Sequence, residues 1–406
     1  MNIEWQGAQD IKDIYGCLID TELNVSVEAR DQASAVITHA QMQKFAELGI
    51  YTYNLPEAWG GLGWKYAPWG HVLEKIGYLS LDVSFPFLIS VRMSFITALL
   101  AVQRADINDV YIKDLIEGKK AGAFAYTENA DAFSFLSCAV PEKGAEYYVL
   151  NGLKAIVTGA ETADIFLMFV RAETADIQVF LVRADDPGVA ITPRAMHGCR
   201  STGIATVEMV NVRVHKSRLL IATDGLSFAQ RYFLNCRRAL QTTLFLGRAR
   251  AVIEATLAYL HTTVRHQRPL IDLQHVQALV GEMYILLESA RTSVFYALHR
   301  QDRAESDPYW DSVSSSAKYQ AVEAVNKIAA LALNVTGGWG YTESSGIGRA
   351  QRDFASLIAG ADPQGMLRST CRAAAASCNF PGTYSVIGRK VTEKSCTESF
   401  FDRFSV

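Results

Sequence analysis

The feature that most narrows the folds open to this chain is a double change of hydrophobic period. Apolar residues recur three and four apart in the first third and again from residue 226 onward, while between these stretches they fall in short runs bounded by turn residues. The helical period is clearest late in the chain, in Val276, Leu279, Met283, Leu286, Ala290, Val294 and Ala297, and in Val322, Val325, Ala329, Ala332 and Val335. Each stripe predicts a long helix with one face buried. Gly337-Gly338 then stops the last of them, as a helix cap or as bare backbone open to a ligand. Periodic segments at 11–17, 42–48, 72–79 and 95–102 predict helices early in the chain, with Leu55-Pro-Glu-Ala-Trp-Gly-Gly-Leu-Gly63 forcing a bend. Runs rich in Val, Ile, Phe and Tyr at 123–127, 146–150, 165–170, 178–182, 189–193 and 206–214 predict strands, with Asn151-Gly152 and Asp186-Pro-Gly188 as turns. The class is therefore α+β. An N-terminal helical domain over 1–120 precedes a middle antiparallel β domain over 121–222, a C-terminal helical bundle over 223–380 and a polar tail over 381–406.

Composition removes several function classes. The 406 residues are 50% hydrophobic and 20% charged, enough to bury a large core as a soluble globular protein. A formal charge of −3 and a pI near 6.3 provide no basic field, so no nucleic-acid partner is expected. Cysteines 17, 138, 199, 236, 371, 378 and 396 form no CxxC pair, and their odd number leaves one unpaired. That usage fits a reducing, cytoplasmic setting. The N-terminus lacks the regions of a signal peptide, and the most apolar run, 84–102, is interrupted by Arg92, so a buried helix and no membrane partner are expected. His71, His261, His266 and His275 do not combine with other ligands at metal-binding spacing, apart from a loose Asp272/His275 pair, and no metal is expected. Gly60-Gly-Leu-Gly63 lacks the βαβ context of a dinucleotide fingerprint.

A set of short motifs carries more information in its order than in any one member. Pro56-Glu57, Gly60-Gly-Leu-Gly63, Tyr126-Thr-Glu128, Asn151-Gly-Leu-Lys-Ala-Ile-Val-Thr158, Ala163-Asp164, Asp186-Pro-Gly188, Gly198-Cys-Arg200, Asn211-Val-Arg-Val214, Arg238, Gly247, Arg265, Pro269 to Gln274, Gly337-Gly338 and Arg352-Asp353 follow one another along residues 40–370. This series resembles the acyl-CoA dehydrogenase superfamily. The resemblance implies a C-terminal four-helix bundle and FAD held between the middle and C-terminal domains with help from a second subunit. It also implies a homodimer or homotetramer acting on an acyl thioester of CoA or a carrier protein. In the family a base removes the α-proton and the β-hydride passes to flavin N5, with the thioester carbonyl polarised by preorganised donors.

Carried over by motif, Thr127, with Tyr126 before it, resembles the threonine at the pyrimidine edge of the isoalloxazine, and Thr158 the one near N5. The alternative is that both are strand threonines chosen for β-propensity. Arg265 resembles the arginine that meets the FAD diphosphate from the neighbouring subunit, or is a surface cation at a helix end. Gln274, Gly337 and Gly338 resemble the other second-subunit contacts, with Gly338 leaving room for close approach. Arg238 resembles an arginine beside the thioester-bearing ligand, or lies in an ion pair.

The departures concern the chemistry. The family's catalytic glutamate, eight residues after the aspartate of Arg-Asp, falls on Ala361, and its other known location falls on Arg237. Asp362 is the nearest carboxylate. It is either the base, as aspartate is in the nitroalkane oxidase branch, or an Asp-Pro cap. Ser134 is an approximate substitute for the family's Gly-Ser-Asp serine, Ile156 stands where a tryptophan flanks the flavin, and the Phe-Gly after Arg265 is missing. Three readings follow. The first is a flavin-dependent desaturase or oxidase of acyl thioesters, of the kind found in secondary metabolism. The second is a flavin monooxygenase of the same superfamily, which needs no α-proton base, and the third is a flavin-binding or structural paralogue without turnover.

Overall fold

Six α-helices among the described residues precede the first strand. The structure is a computed structural model and describes residues 3–128, 135–265, 267–303, 310–360, 366–368 and 370–372. The helices are α1 (Ile3–Glu22), α2 (Val27–Ala33), α3 (His39–Glu47), α4 (Tyr66–Leu79), α5 (Ser84–Ala101) and α6 (Ala105–Ile116). A Thr38/Gln41 capping box starts α3. α5 is apolar all round and long enough to cross a bilayer by length and composition, yet 78% of that stretch is buried inside the protein, as a central core helix would be.

The β domain follows as β1 (Gly122–Ala125), β2 (Cys138–Pro141), β3 (Tyr147–Val157), β4 (Ile165–Arg171), β5 (Ile177–Arg183), β6 (Val189–Pro193), β7 (Ala205–His215) and β8 (Leu219–Ile221). The sheet runs β6-β7-β3-β2-β4-β5-β8, with β1 also on β4. Its ladders are mostly antiparallel, while β1 and β2 pair with β4 in parallel. One expectation is corrected. Asn151-Gly152 is not a hairpin turn but lies inside β3, where the register against β7 shifts between Leu150 and Gly152. Gly152 has φ +142°, and the Asn151 side-chain oxygen accepts the Asn211 N–H at 2.8 Å, so the pair builds a bulge that preserves the strand. β2 and β8 carry too few alternating residues to announce themselves. Alternation divides the sheet's faces: Leu167, Phe169, Val179 and Leu181 join the core shared with the helices, and Phe166, Met168, Phe180 and Val182 fill a second core beneath β7.

The chain then enters α7 (Gly225–Ala229), continues through two π-helical turns, Gln230–Leu234 and Cys236–Leu240, and straightens into α8 (Gln241–Thr262). A short ribbon of β9 (Val264–Arg265) and β10 (Arg268–Pro269) leads to α9 (Gln274–Gln301), α10 (Trp310–Thr336) and α11 (Ile347–Ala359). These four long helices are the bundle that the resemblance implies. The predicted stripes face inward, with Val276, Met283, Ala290, Val294, Val322, Val325 and Ala329 buried. α4 lies against α8 at a crossing made by two glycines. A Cβ on Gly247 would stand 1.8 Å from the Glu74 carbonyl oxygen, and one on Gly77 2.1 Å from that of Leu244. Gly337 adopts φ +57° after α10 and caps it, its N–H donating to the Leu333 carbonyl at 3.0 Å. The five described cysteines, Cys17, Cys138, Cys199, Cys236 and Cys371, are free thiols.

Candidate functional site

Arg352-Asp353 marks the place where all three parts of the chain meet. Asp353 is 2% exposed and accepts two backbone N–H bonds, from Cys199 at 2.6 Å and from Val83 at 3.2 Å. One carboxylate thus ties α11 to the Gly198-Cys-Arg200 loop and to the start of α5. Burial, and after it the nearby Asp82 charge, push the Asp353 carboxyl up to about 7 against the pull of those two bonds. Arg352 leaves the same turn to pair with Asp31, and its Nε donates to the His197 carbonyl at 3.2 Å. Arg30 and Asp82 form a buried pair at 2.9 Å beside it. A Cβ on Gly198 would lie 2.2 Å from the Arg352 carbonyl oxygen, so that loop rests directly on α11.

The middle domain presents the opposite situation. Thr127 bridges Ile156 across the sheet, and the Ala155 N–H donates to the Thr127 carbonyl at 2.8 Å. Thr127 is exposed, Ile156 is 42% exposed and Thr158 is half-buried, although most neighbours on these strands are buried. Two hydroxyl-bearing residues and one apolar side chain therefore share a strand edge that the described residues leave open. Tyr126 points the other way, its ring packed against Phe135, Phe169 and Phe233 at centroid distances of 5.0–5.4 Å.

Lys154 supports the edge from beneath, a role the sequence reading quoted in a motif but did not assign. Its side chain is fully buried, and its ammonium pairs with Glu128 at 2.5 Å and donates to the Phe169 carbonyl. Glu128 in turn accepts the Leu136 N–H at 2.6 Å. Burial lowers the Lys154 pKa to about 8 while Glu128 opposes it. The Glu128 carboxyl is held below its usual range because Lys154 and the hydrogen bonds outweigh the desolvation that would raise it. A lysine at an inward position of a strand is the signal that would have found this pair.

Arg265, Gln274, Gly337 and Gly338 come together differently. They sit where α8 ends, α9 starts and α10 ends, an end of the bundle clamped by Tyr259 stacked on Trp339 at 4.2 Å. All four are exposed, and a Cβ on either glycine would meet nothing within 4 Å.

Near the two family locations of the catalytic glutamate the structure is cationic. The π-helical turn Cys236–Leu240 carries Arg237 and Arg238. Arg237 lies over the Phe233 ring at 4.7 Å, and its Nη2 is 4.0 Å from where a Gly360 Cβ would be. Buried Lys318 donates to the Gly360 carbonyl. Arg238 is 5% exposed, pairs with Asp311 and donates to the Asn235 side-chain oxygen at 2.9 Å. Arg237, one of those two locations, thus lies beside Gly360, the last described residue before the other. Sequence reading gave no role to Asp311 or Lys318. Ser134, Ala361, Asp362 and the 381–406 tail lie outside the described residues. No cluster of three potential metal ligands occurs among the described residues.

Comparison with known proteins completes the picture. The N-terminal, middle and C-terminal domains of acyl-CoA dehydrogenase match residues 8–119, 123–212 and 223–372. The 3-(aryl)acrylate reductase of Clostridium sporogenes is 29% identical over 323 residues, 77% of this chain and 83% of that protein. The prolyl acyl carrier protein oxidase AnaB superposes with a TM-score of 0.84 at 18% identity, covering 92% of this chain and 98% of its own. A glutaryl-CoA dehydrogenase from Mycobacterium smegmatis in complex with FADH2 gives 0.83 at 22% identity, over 91% and 94%. At such identities these two solved structures are likenesses of fold. With all three domains matched in order, the chain belongs to the acyl-CoA dehydrogenase family, whose relatives are oxidoreductases.

Proposed function

We propose that this protein is an FAD-dependent oxidoreductase that desaturates or oxidises an acyl thioester, carried on CoA or on an acyl carrier protein. The observation that carries the reading is the unfilled strand edge at Thr127, Ile156 and Thr158 in a chain of this family. The donor set there suits a flavin: two hydroxyls that can meet ring heteroatoms flank one apolar surface that can lie against a ring face. Bound FAD would accept the substrate's β-hydride at N5. Thr127 and Thr158 hold the isoalloxazine, and Ile156, smaller than the tryptophan it replaces, leaves the ring's surroundings more open. Arg265, Gln274, Gly337 and Gly338 are exposed on their own chain and serve the FAD of a second copy, so the working form is a homodimer or homotetramer.

Asp362 takes the α-proton. It is the carboxylate nearest in sequence to the family position at Ala361, and a carboxylate is the group type that performs such a proton abstraction. Arg237 puts positive charge near the expected substrate mouth, which suits a phosphopantetheine or an anionic acyl group. The relative named as a 3-(aryl)acrylate reductase supports redox chemistry at a carbon–carbon bond next to a carboxyl-level carbon.

The test is anaerobic titration of the purified yellow protein with acyl-CoA and acyl carrier protein thioesters. Bleaching of the visible flavin band supports the proposal. Flavin reduced only by an external reductase, with a transient C4a-adduct absorbance on oxygenation, replaces it with the monooxygenase reading. Protein that stays colourless in excess FAD removes it.

A further inference from the structure

Two arginines lie together under the start of α11 without a carboxylate between them. Arg248, on α8, is 6% exposed and Arg349, on α11, is 8% exposed. A Cβ on Gly346, the residue before α11, would stand 3.4 Å from Arg349 Nη2 and 3.6 Å from Arg248 Nη2, so both guanidiniums converge at the helix N-terminus. Neither forms an ion pair with a described residue. Arg248 makes one long bond, 3.4 Å from Nη1 to the Ser80 carbonyl, and its buried Nε has no acceptor at all. Arg349 donates from Nε to the Leu81 carbonyl at 3.2 Å. Burial and then repulsion by Arg349 lower the Arg248 pKa to about 10. An arginine this buried ordinarily has a charged partner, because desolvating an uncompensated charge is costly.

The space in front of the pair is a cavity of about 650 Å³. Arg248, Arg349 and Ser344 form its polar end, and Val25, Leu79 and Leu81 line its apolar wall. α11 has 13 residues, and the N–H groups of its first turn have no acceptors within the helix, adding partial positive charge where the guanidiniums meet. Of the two acids in the lining, Glu254 is engaged by Tyr78 at 2.5 Å and by Arg250 at 3.1 Å, and Glu28 is exposed to solvent.

We propose that this cavity is a binding site for a small organic anion, whose carboxylate or phosphate head lies between Arg248 and Arg349 with its short apolar body along Leu79 and Leu81. The proposal is independent of the redox reading. The charges of Asp353 and Asp82 act on Arg248 in the opposite sense to burial and Arg349, which links the site electrostatically to the junction. An anion seated there supplies the counter-charge and binds the native state selectively, which stabilises it.

The experiment follows thermal unfolding of the full-length, flavin-loaded protein during titration with sodium butyrate and, separately, with inorganic phosphate, using sodium chloride at equal ionic strength as the baseline. A saturable rise in Tm with either probe is expected, and which probe produces it decides between a carboxylate and a phosphate head. Arg248→Leu should lose about tenfold or more in apparent affinity. Ser344→Glu should supply a tethered carboxylate, raise Tm and abolish the response. No saturable shift beyond chloride, or an equal shift in both variants, overturns the proposal. Flavin absorbance, read in the same samples, shows whether the redox site is intact.

Discussion

The strand edge at Thr127 and the junction at Asp353 are built on opposite rules. At the junction the acidic groups are engaged within the protein: one carboxylate holds two backbone amides from two other parts of the chain, and the Arg30–Asp82 and Arg352–Asp31 pairs lie beside it. At the edge, Thr127, Ile156 and Thr158 are left open, and the buried Lys154–Glu128 pair beneath them supplies the order. Motifs that identify the family therefore perform two kinds of work. Some hold the three parts of the chain together, and others present a surface that is complete only with a ligand.

Variants should separate the two. The largest effect is expected at Asp362: Asp362→Asn should slow flavin reduction by an acyl thioester about a thousandfold, within the range for loss of a general base, while flavin stays bound. Unchanged reduction in stopped flow would remove Asp362 from the chemistry. At the junction, Asp353→Ala leaves two buried N–H groups without an acceptor and should cost about 3 kcal/mol in urea unfolding, with flavin lost only as the protein unfolds. A cost below about 0.5 kcal/mol would break the comparison.

The same carboxylate predicts a pH dependence with a definite sign. Because its folded pKa is raised from 3.8 to about 7, the native state binds a proton there that the unfolded chain releases. Between those values its contribution to stability falls as pH rises, by about 2 kcal/mol from about pH 5 to about pH 6.5 at 1.36 kcal/mol per unit. Subtracting the profile of Asp353→Asn from that of wild type isolates the effect, and an upward difference slope would refute it. The smallest effect belongs to the edge. Thr127→Ala and Thr158→Ala should change stability by no more than about 0.5 kcal/mol, yet each should weaken FAD about five- to tenfold by flavin fluorescence, the worth of one neutral hydrogen bond.

How much of this was legible in the sequence depended on whether a residue's role was local. The helical stripes of α9 and α10 announce their buried faces because period and packing coincide. Asn151-Gly152 misled because the dipeptide that suits a tight turn also suits a bulge, and only the partner strand's register distinguishes them. Thr127, Ile156 and Thr158 were found through motif order, since nothing in a strand threonine by itself indicates exposure. Lys154, Asp311, Lys318 and the Arg248–Arg349 pair went unassigned because each has meaning only through a residue far along the chain. Arg238 was weighed as substrate anchor against ion pair, and its proximity to Asp311, 73 residues on, emerges only in three dimensions.

The two wide turns that precede α8 carry an evolutionary consequence. Each π-turn accommodates one residue more than an α-helical turn would, and a helix rotates about 100° per residue, so each sets the phase of what adjoins it. Losing a single codon between Gly225 and Leu240 would relax one such turn without breaking the helix, and would swing the adjoining side chains to new headings. One deletion just before Arg237 would thus carry Arg238, now paired with Asp311, to the heading that Arg237 holds, a change no point substitution can imitate. Relatives that differ in substrate are therefore best compared by counting residues through this segment before comparing their identities.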